Sequence, residues 1–237
     1  HVGTGNFHGG TAKVYSDLSL LTSRREIATE VKKVFNLLEN NIERAMYRRL
    51  FVSPFNTRRK FSALMNQEIK NAKKGLPARI DIKLNNLVDN SLINKLYEAS
   101  MASVKIRLIL RGICCLVPQE LRISENIEVI SIVGRYLEHA RFFIFHNAGT
   151  PKYYISSADW MTRNLDKRIE VTTPIYDEDI QQELAFIFES QWQDNEKARI
   201  VDKESKNRLR PQGTEEESVN AQNKLYTYYQ NKSQQKL

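Results

Sequence analysis

Apolar positions recur along this chain with two periods, one near 3.6 and one of 2, and the switches between them predict its elements. Residues 13–21 alternate as a strand does, and Thr22 or Ser23 offers an N-cap for a helix over 24–38. In that helix Ile27, Val31, Val34, Phe35 and Leu38 fall on one stripe. A second helix over 57–74 turns Phe61, Leu64, Met65, Glu68 and Ile69 inward and ends at Gly75. It leaves Arg58, Arg59, Lys60, Lys70, Lys73 and Lys74 as a solvated face. The period then becomes strand, helix, strand: 79–84 alternates, Leu92, Leu96 and Ala99 share one helix side, and 105–110 is a buried strand. That order implies a parallel pair joined by a right-handed crossover. Further strands are predicted at 127–133, 141–145, 152–156 and 167–173, the last ending before Pro174. A hairpin-like turn at 147–150 joins the second and third of these. An acidic-capped helix over 177–191 carries Ile180, Leu184, Ile187 and Phe188 inward. Beyond Asp194 the chain turns polar, and 214–235 reads as an exposed helix. Its thin stripe of Val219, Leu225, Tyr226 and Tyr229 suits docking on the body or on another subunit.

Residues 40–56 change character, with Arg44, Arg48 and Arg49 ahead of Phe51, and read as a crossing between two units. With 237 residues, 41% hydrophobic and 27% charged, the chain can bury a sizeable core as a globular protein. No apolar run has bilayer-spanning length and no signal peptide opens the chain, so a cytoplasmic location is expected. Adjacent Cys114 and Cys115 are poorly placed to bridge each other or to hold zinc, and read as reduced core or near-core residues. A net charge of +8 favours an anionic partner without choosing among anions. His1 opens directly onto Val-Gly-Thr-Gly-Asn-Phe, and the chain is expected to be the C-terminal part of something longer.

The chemistry concentrates in residues 135–145 and 154–164. Arg141 falls two residues after His139, which on a strand puts imidazole and guanidinium on one face, a pairing suited to a phosphoryl group. Ser156 and Ser157 end a strand with hydroxyls and N–H groups that can accept an anion. A lone histidine before an apolar strand also reads as a satisfied core or surface residue, and Arg141 with Ser-Ser-Ala-Asp159 tips the reading towards function. Arg111 lies at the carboxyl end of a parallel strand, where open α/β sheets bind ligands, although a surface arginine closing a strand fits that position equally. Gly3-Thr-Gly-Asn6 is a small-residue turn that lets backbone approach phosphate, or is a plain turn. Tyr15 and Asp17 fall on the same side of their strand.

The histidine, the cation two residues on and the Ser-rich strand end together resemble one half-site of the phospholipase D superfamily, with Arg141 where Lys is usual. The resemblance narrows across Gly3-Thr-Gly-Asn, Tyr15-Ser-Asp-Leu-Ser-Leu-Leu-Thr, Lys83-Leu-Asn-Asn-Leu-Val-Asp, Leu110-Arg-Gly-Ile-Cys, Arg135-Tyr-Leu-Glu-His and Ser156-Ser-Ala-Asp-Trp-Met-Thr-Arg-Asn. In this order these segments resemble the C-terminal catalytic region of bacterial polyphosphate kinases of the first family. The resemblance implies an α/β fold: a phospholipase D-like mixed sheet flanked by helices over 51–210, preceded over 1–50 by the tail of a first similar domain and followed by a helical tail over 211–237. It implies reversible transfer of the terminal phosphate of ATP to inorganic polyphosphate, with Mg²⁺, in a homo-oligomer. It implies that Tyr15, Arg111 and His139 contact nucleotide phosphates and that His139 is the second catalytic histidine. The phosphorylated histidine and the Mg²⁺ ligands would lie upstream of this chain, which alone would be inactive. Arg141, Arg163 and Arg168 are candidate polyphosphate contacts, with a structural role for each equally open. The expected partners are ATP or ADP and polyphosphate, with no nucleic acid, and the expected location extends to the inner face of the membrane. Two other classes fit the residues: a phospholipase D-type phosphodiesterase or nuclease, and a polyanion-binding module without catalysis.

Overall fold

The computed structural model describes residues 1–40, 45–211 and 217–234. In chain order the elements are β1 (Val2–Gly3), α1 (Gly9–Ala12), β2 (Tyr15–Ser16), β3 (Ser19–Leu20), α2 (Arg25–Asn40), β4 (Phe51–Val52), α3 (Thr57–Lys73), β5 (Arg79–Leu84) and α4 (Asn90–Met101). They continue with β6 (Lys105–Leu110), β7 (Ile127–Ile132), β8 (Leu137–Glu138), β9 (Phe142–Phe145), β10 (Lys152–Ser156), β11 (Val171–Ile175), α5 (Glu178–Trp192), β12 (Ala198–Ile200) and α6 (Ala221–Gln234).

Eight strands form a mixed sheet in the order β12-β7-β6-β5-β9-β10-β11-β4. The predicted pair β5 and β6 is parallel in register from Arg79↔Lys105 to Leu84↔Leu110, β7 extends it in parallel, and β9 turns back against β5. Strand alternation gives the sheet two apolar faces. Phe143 and Phe145 of β9 join Ile80, Ile82 and Leu84 of β5 under Phe61 and Met65 of α3 and Leu92 and Leu96 of α4. Phe142 and Ile144 face the other way, with Leu184, Ile187 and Phe188 of α5. Helices cover both faces, as a sheet with a parallel centre requires.

Caps and breakers explain the boundaries. Asp177 accepts from the Ile180 amide at the start of α5, and Gly75, at φ +70°, follows the end of α3 in a conformation that costs a Cβ-bearing residue energy. In α2 the buried face is Ile27, Glu30, Val34 and Leu37, whereas Phe35 and Leu38 are more than half exposed, so the expected stripe is rotated about the helix.

The alternating stretch 13–21 is not one strand but two: β2 pairs in parallel with β8 and β3 pairs with β1, and the break between them falls at Asp17 and Leu18. The strand predicted at 167–173 runs instead over β11, with Pro174 inside it. Strand β4 has ended before that position, so the missing N–H leaves no ladder bond unmade. Arg58 is not a solvated cation, since it forks onto Asp89 (2.8 Å) and pairs with Asp166. Cys114 is half-buried but Cys115 is exposed, not near-core, and both are free thiols. The terminal helix spans α6, and Thr214, Gln235 and Arg44 fall outside the described residues. Among the described residues no helix is long and apolar enough to cross a membrane.

Candidate functional site

Strand β6 ends at Leu110 and β5 at Leu84, so Arg111 and the pair Asn85-Asn86 emerge together at the carboxyl edge of the parallel strands. His139, Ala140 and Arg141 enter that edge between β8 and β9. The short parallel ladder Tyr15↔Leu137 and Ser16↔Glu138 brings the N-terminal segment alongside, and the amides of His139 and Ala140 both donate to Ser16 O.

Around this ladder the side chains interlock. His139 Nδ1 lies 2.9 and 3.0 Å from the two Asp17 oxygens, and the Tyr15 ring sits 4.9 Å from the imidazole, centroid to centroid. Thr4 Oγ1 donates to Asp17 Oδ1 at 2.7 Å. A Cβ on Gly5 would meet Asp17 Oδ2 at 2.1 Å, so the turn approaches the carboxylate as only glycine allows. Burial pushes the Asp17 carboxyl up, but hydrogen bonds from His139 and Thr4 and the charges of His139 and Arg141 outweigh it, leaving it below its ordinary value.

Arg141 is buried and spends its guanidinium on structure as well as charge. It donates to Thr4 O (2.7 Å), His139 O (3.2 Å) and Asp159 Oδ2 (3.1 Å), and its Nη2 lies 3.3 Å from His139 Nε2. Asp159 in turn accepts from the amides of Asn85 (2.8 Å) and Asn86 (3.1 Å). Burial raises the Asp159 carboxyl, yet the Arg141 charge and these bonds hold it below its ordinary value. Arg111 is anchored only through Nε, to Asn85 Oδ1 and Glu138 O at 3.1 Å each, so both its terminal nitrogens are without a hydrogen bond among the described residues.

Tyr15, Arg111, His139 and Arg141 therefore meet at one edge of the sheet, although they stand far apart in sequence. Arg163 and Arg168 share none of these bonds: Arg163 opens a single wide turn and is exposed, and Arg168 pairs with Glu170 at 3.6 Å. Nor are the serines free for an anion. Ser156 Oγ shares a bond with Thr172 Oγ1 at 2.7 Å, and Ser157 Oγ donates to Glu170 at 2.5 Å. Sequence reasoning counted Asp159 only as part of Ser-Ser-Ala-Asp159 and gave no role to Asn85 or Asn86, and period-2 spacing from Tyr15 was the one signal for Asp17. Among the described residues no three His, Cys, Asp or Glu side chains converge as a metal site.

Residues 50–222 match the family model described as polyphosphate kinase C-terminal domain 2, and residues 1–44 match polyphosphate kinase C-terminal domain 1. The chain is 49% identical over 235 residues to the polyphosphate kinase of Vibrio cholerae, covering 99% of this chain and 33% of that protein. It is 49% identical over 228 residues to that of Escherichia coli K12, covering 96% of this chain and again 33% of the relative. The crystal structure of the Porphyromonas gingivalis polyphosphate kinase superposes with a TM-score of 0.94 at 41% identity, over 98% of this chain and 36% of that one. The chain thus spans about a third of the length of the relatives it matches.

Proposed function

This chain belongs to the polyphosphate kinase family, and from that premise we propose that it supplies one half of a phosphoryl-transfer site that moves the terminal phosphate of ATP to inorganic polyphosphate, and back. The observation that supports this reading most is the His139 cluster: an imidazole and a buried guanidinium 3.3 Å apart, each backed by its own carboxylate, beside a guanidinium with free terminal nitrogens.

Phosphoryl transfer asks the protein mainly to position groups and neutralise charge on the equatorial oxygens. Asp17 fixes the imidazole through Nδ1 and so turns Nε2 towards Arg141. An oxygen arriving between Nε2 and Nη2 meets a guanidinium N–H and, once the ring holds its second proton, Nε2–H as well. His139 then holds the transferring phosphate or protonates the leaving nucleotide oxygen. Arg111 would offer its two unbonded terminal nitrogens to the remaining phosphates, and Tyr15 packs on the imidazole. In this reading the nucleophilic histidine would come from a part of the full-length protein that precedes this chain. Mg²⁺ would neutralise phosphate charge, and in this reading its ligands would come from that same part. The same reading makes the intact protein a cytoplasmic homo-oligomer.

The test is incubation of a full-length protein containing this chain with labelled ATP and Mg²⁺. The expected result is acid-labile label on the protein and a growing polymer, no polymer from a folded His139→Ala variant, and no label on the 237-residue chain alone. Normal polymer synthesis by His139→Ala would remove His139 from the mechanism, stable labelling of the chain alone would misplace the nucleophile, and diester cleavage without ATP would favour a hydrolase.

A further inference from the structure

At the other end of the sheet, the ends of β10 and β11 beside β4 frame a cavity of about 290 Å³. Strand β9 runs away from His139 to Phe145, whose partner is Lys152 of this cavity, so the two sites stand roughly 20 Å apart at about 3.3 Å per residue. Arg48, Arg49 and Lys152 rim the cavity, tyrosines 153, 154 and 176 wall it, and among the described residues no carboxylate lines it.

The loop that presents the two arginines is held rigid from both sides. Buried Glu30 of α2 accepts from the amides of Arg48 (2.7 Å), Arg49 (3.0 Å) and Leu50 (2.8 Å), while Lys60 Nζ donates to Arg48 O (2.7 Å) and Leu50 O (3.0 Å). Five hydrogen-bonded backbone groups thus fix the loop, and the side chains are left over: neither guanidinium, nor the Lys152 ammonium, has a hydrogen bond or ion pair among the described residues. The oxygens of Glu30, which holds the loop from below, are occupied by the three amides. Lys60 lies 4.9 Å over the Phe51 ring, and burial, reinforced by the charges of Arg59 and Arg49 against that of Glu30, holds its ammonium below the ordinary value. Cations gathered over an aromatic floor repel one another until an anion with several oxygens spans them. Arginine forks match phosphate oxygens in pairs, and phenols at the walls add donors.

We propose that this cavity is an accessory oligophosphate site, which grips a run of a linear polyphosphate away from the transfer centre. The identity of the polymer rests on the function proposed above, whereas the affinity for condensed phosphate does not. The shared chemistry, a chain of phosphates, also occurs in a nucleotide tail, and the experiment separates the two.

Equilibrium binding of long-chain polyphosphate, tripolyphosphate and ATP is measured on the full-length protein and on its Arg48→Ala/Arg49→Ala and Lys152→Glu variants, together with product length. Loss of two charge-assisted contacts should weaken long-chain polyphosphate binding about tenfold or more and shorten the product, with ATP affinity and turnover on a short primer unchanged. Exposed Lys152 gives a variant that tests the site even where the arginine pair disturbs the loop. Unchanged polymer affinity and product length in both folded variants would overturn the site, and an equal loss of ATP affinity would overturn the polymer as its occupant. A wild-type protein that makes no polymer from ATP but binds polyphosphate through these residues would sink the function and leave the site standing.

Discussion

Adding one methyl group at Gly5 would place a carbon 2.1 Å from an Asp17 oxygen, so the carboxylate would have to leave His139 Nδ1. Gly5→Ala and Asp17→Asn should therefore resemble each other. In the full-length protein each should lower kcat by up to about a hundredfold through misorientation of the imidazole, with the far-UV circular dichroism unchanged. A Gly5→Ala enzyme as fast as wild type would show that the Asp17 contact does not set the ring. Asp159 makes a separate prediction through pH. Its folded value is depressed below the ordinary 3.8, so its contribution to stability is present in full above that value and is lost as pH falls through the folded value. The stability gap between wild type and Asp159→Asn, measured by urea denaturation, should be open at neutral pH and narrow below pH ~3.8. A gap that does not depend on pH would assign Asp159 a packing role alone.

At the scale of elements, α6 reaches back to β8, the strand that leads into the histidine. Gln222 accepts from Tyr136 N (3.1 Å) and donates to Tyr136 O (2.8 Å) and to Glu138 Oε1 (2.8 Å), and a Cβ at Gly134 would collide with it at 2.6 Å. Glu138 is itself tied to Lys83 (3.1 Å) and Gln191 (2.7 Å) in the interior. Gln222→Ala in the full-length protein should loosen β8 and lower kcat about tenfold, more than it raises KM for ATP, while α6 stays helical. An unchanged kcat would limit α6 to a structural cover. The long elements were legible because their apolar runs are continuous and bounded: α3, α5 and the pair β5 and β6 stand within a residue or so of their predicted ends. The short ones were not. Residues 13–21 alternate like a single strand, and nothing in that alternation reveals a change of partner after Ser16. Pro174 reads as a stop until β4 is known to end before it, and three-residue β12 carries too little pattern to be read. At the site, His139, Arg141, Tyr15 and Arg111 could be picked by type and spacing. The acids that hold them could not, because Asp159 meets Arg141 only through the fold, and the free look of Ser156 and Ser157 vanished once Thr172 and Glu170 took their hydroxyls.

Across the whole molecule, one wide sheet carries the His139 cluster at its carboxyl edge and a cationic cavity at the opposite corner, with an apolar layer on each face. The edge is shared between the two matched segments: Thr4, Tyr15 and Asp17 come from the stretch matching C-terminal domain 1, and Arg111, His139, Arg141 and Asp159 from that matching domain 2. Neither segment holds a complete cluster. What joins them at this point is the parallel ladder of two residue pairs, Tyr15 with Leu137 and Ser16 with Glu138. A seam so narrow has almost no slack. A tug on the first twenty residues would reach the imidazole as a twist, because the anchoring carboxylate and the tilted phenol ride on the segment being pulled while the ring rides on the other.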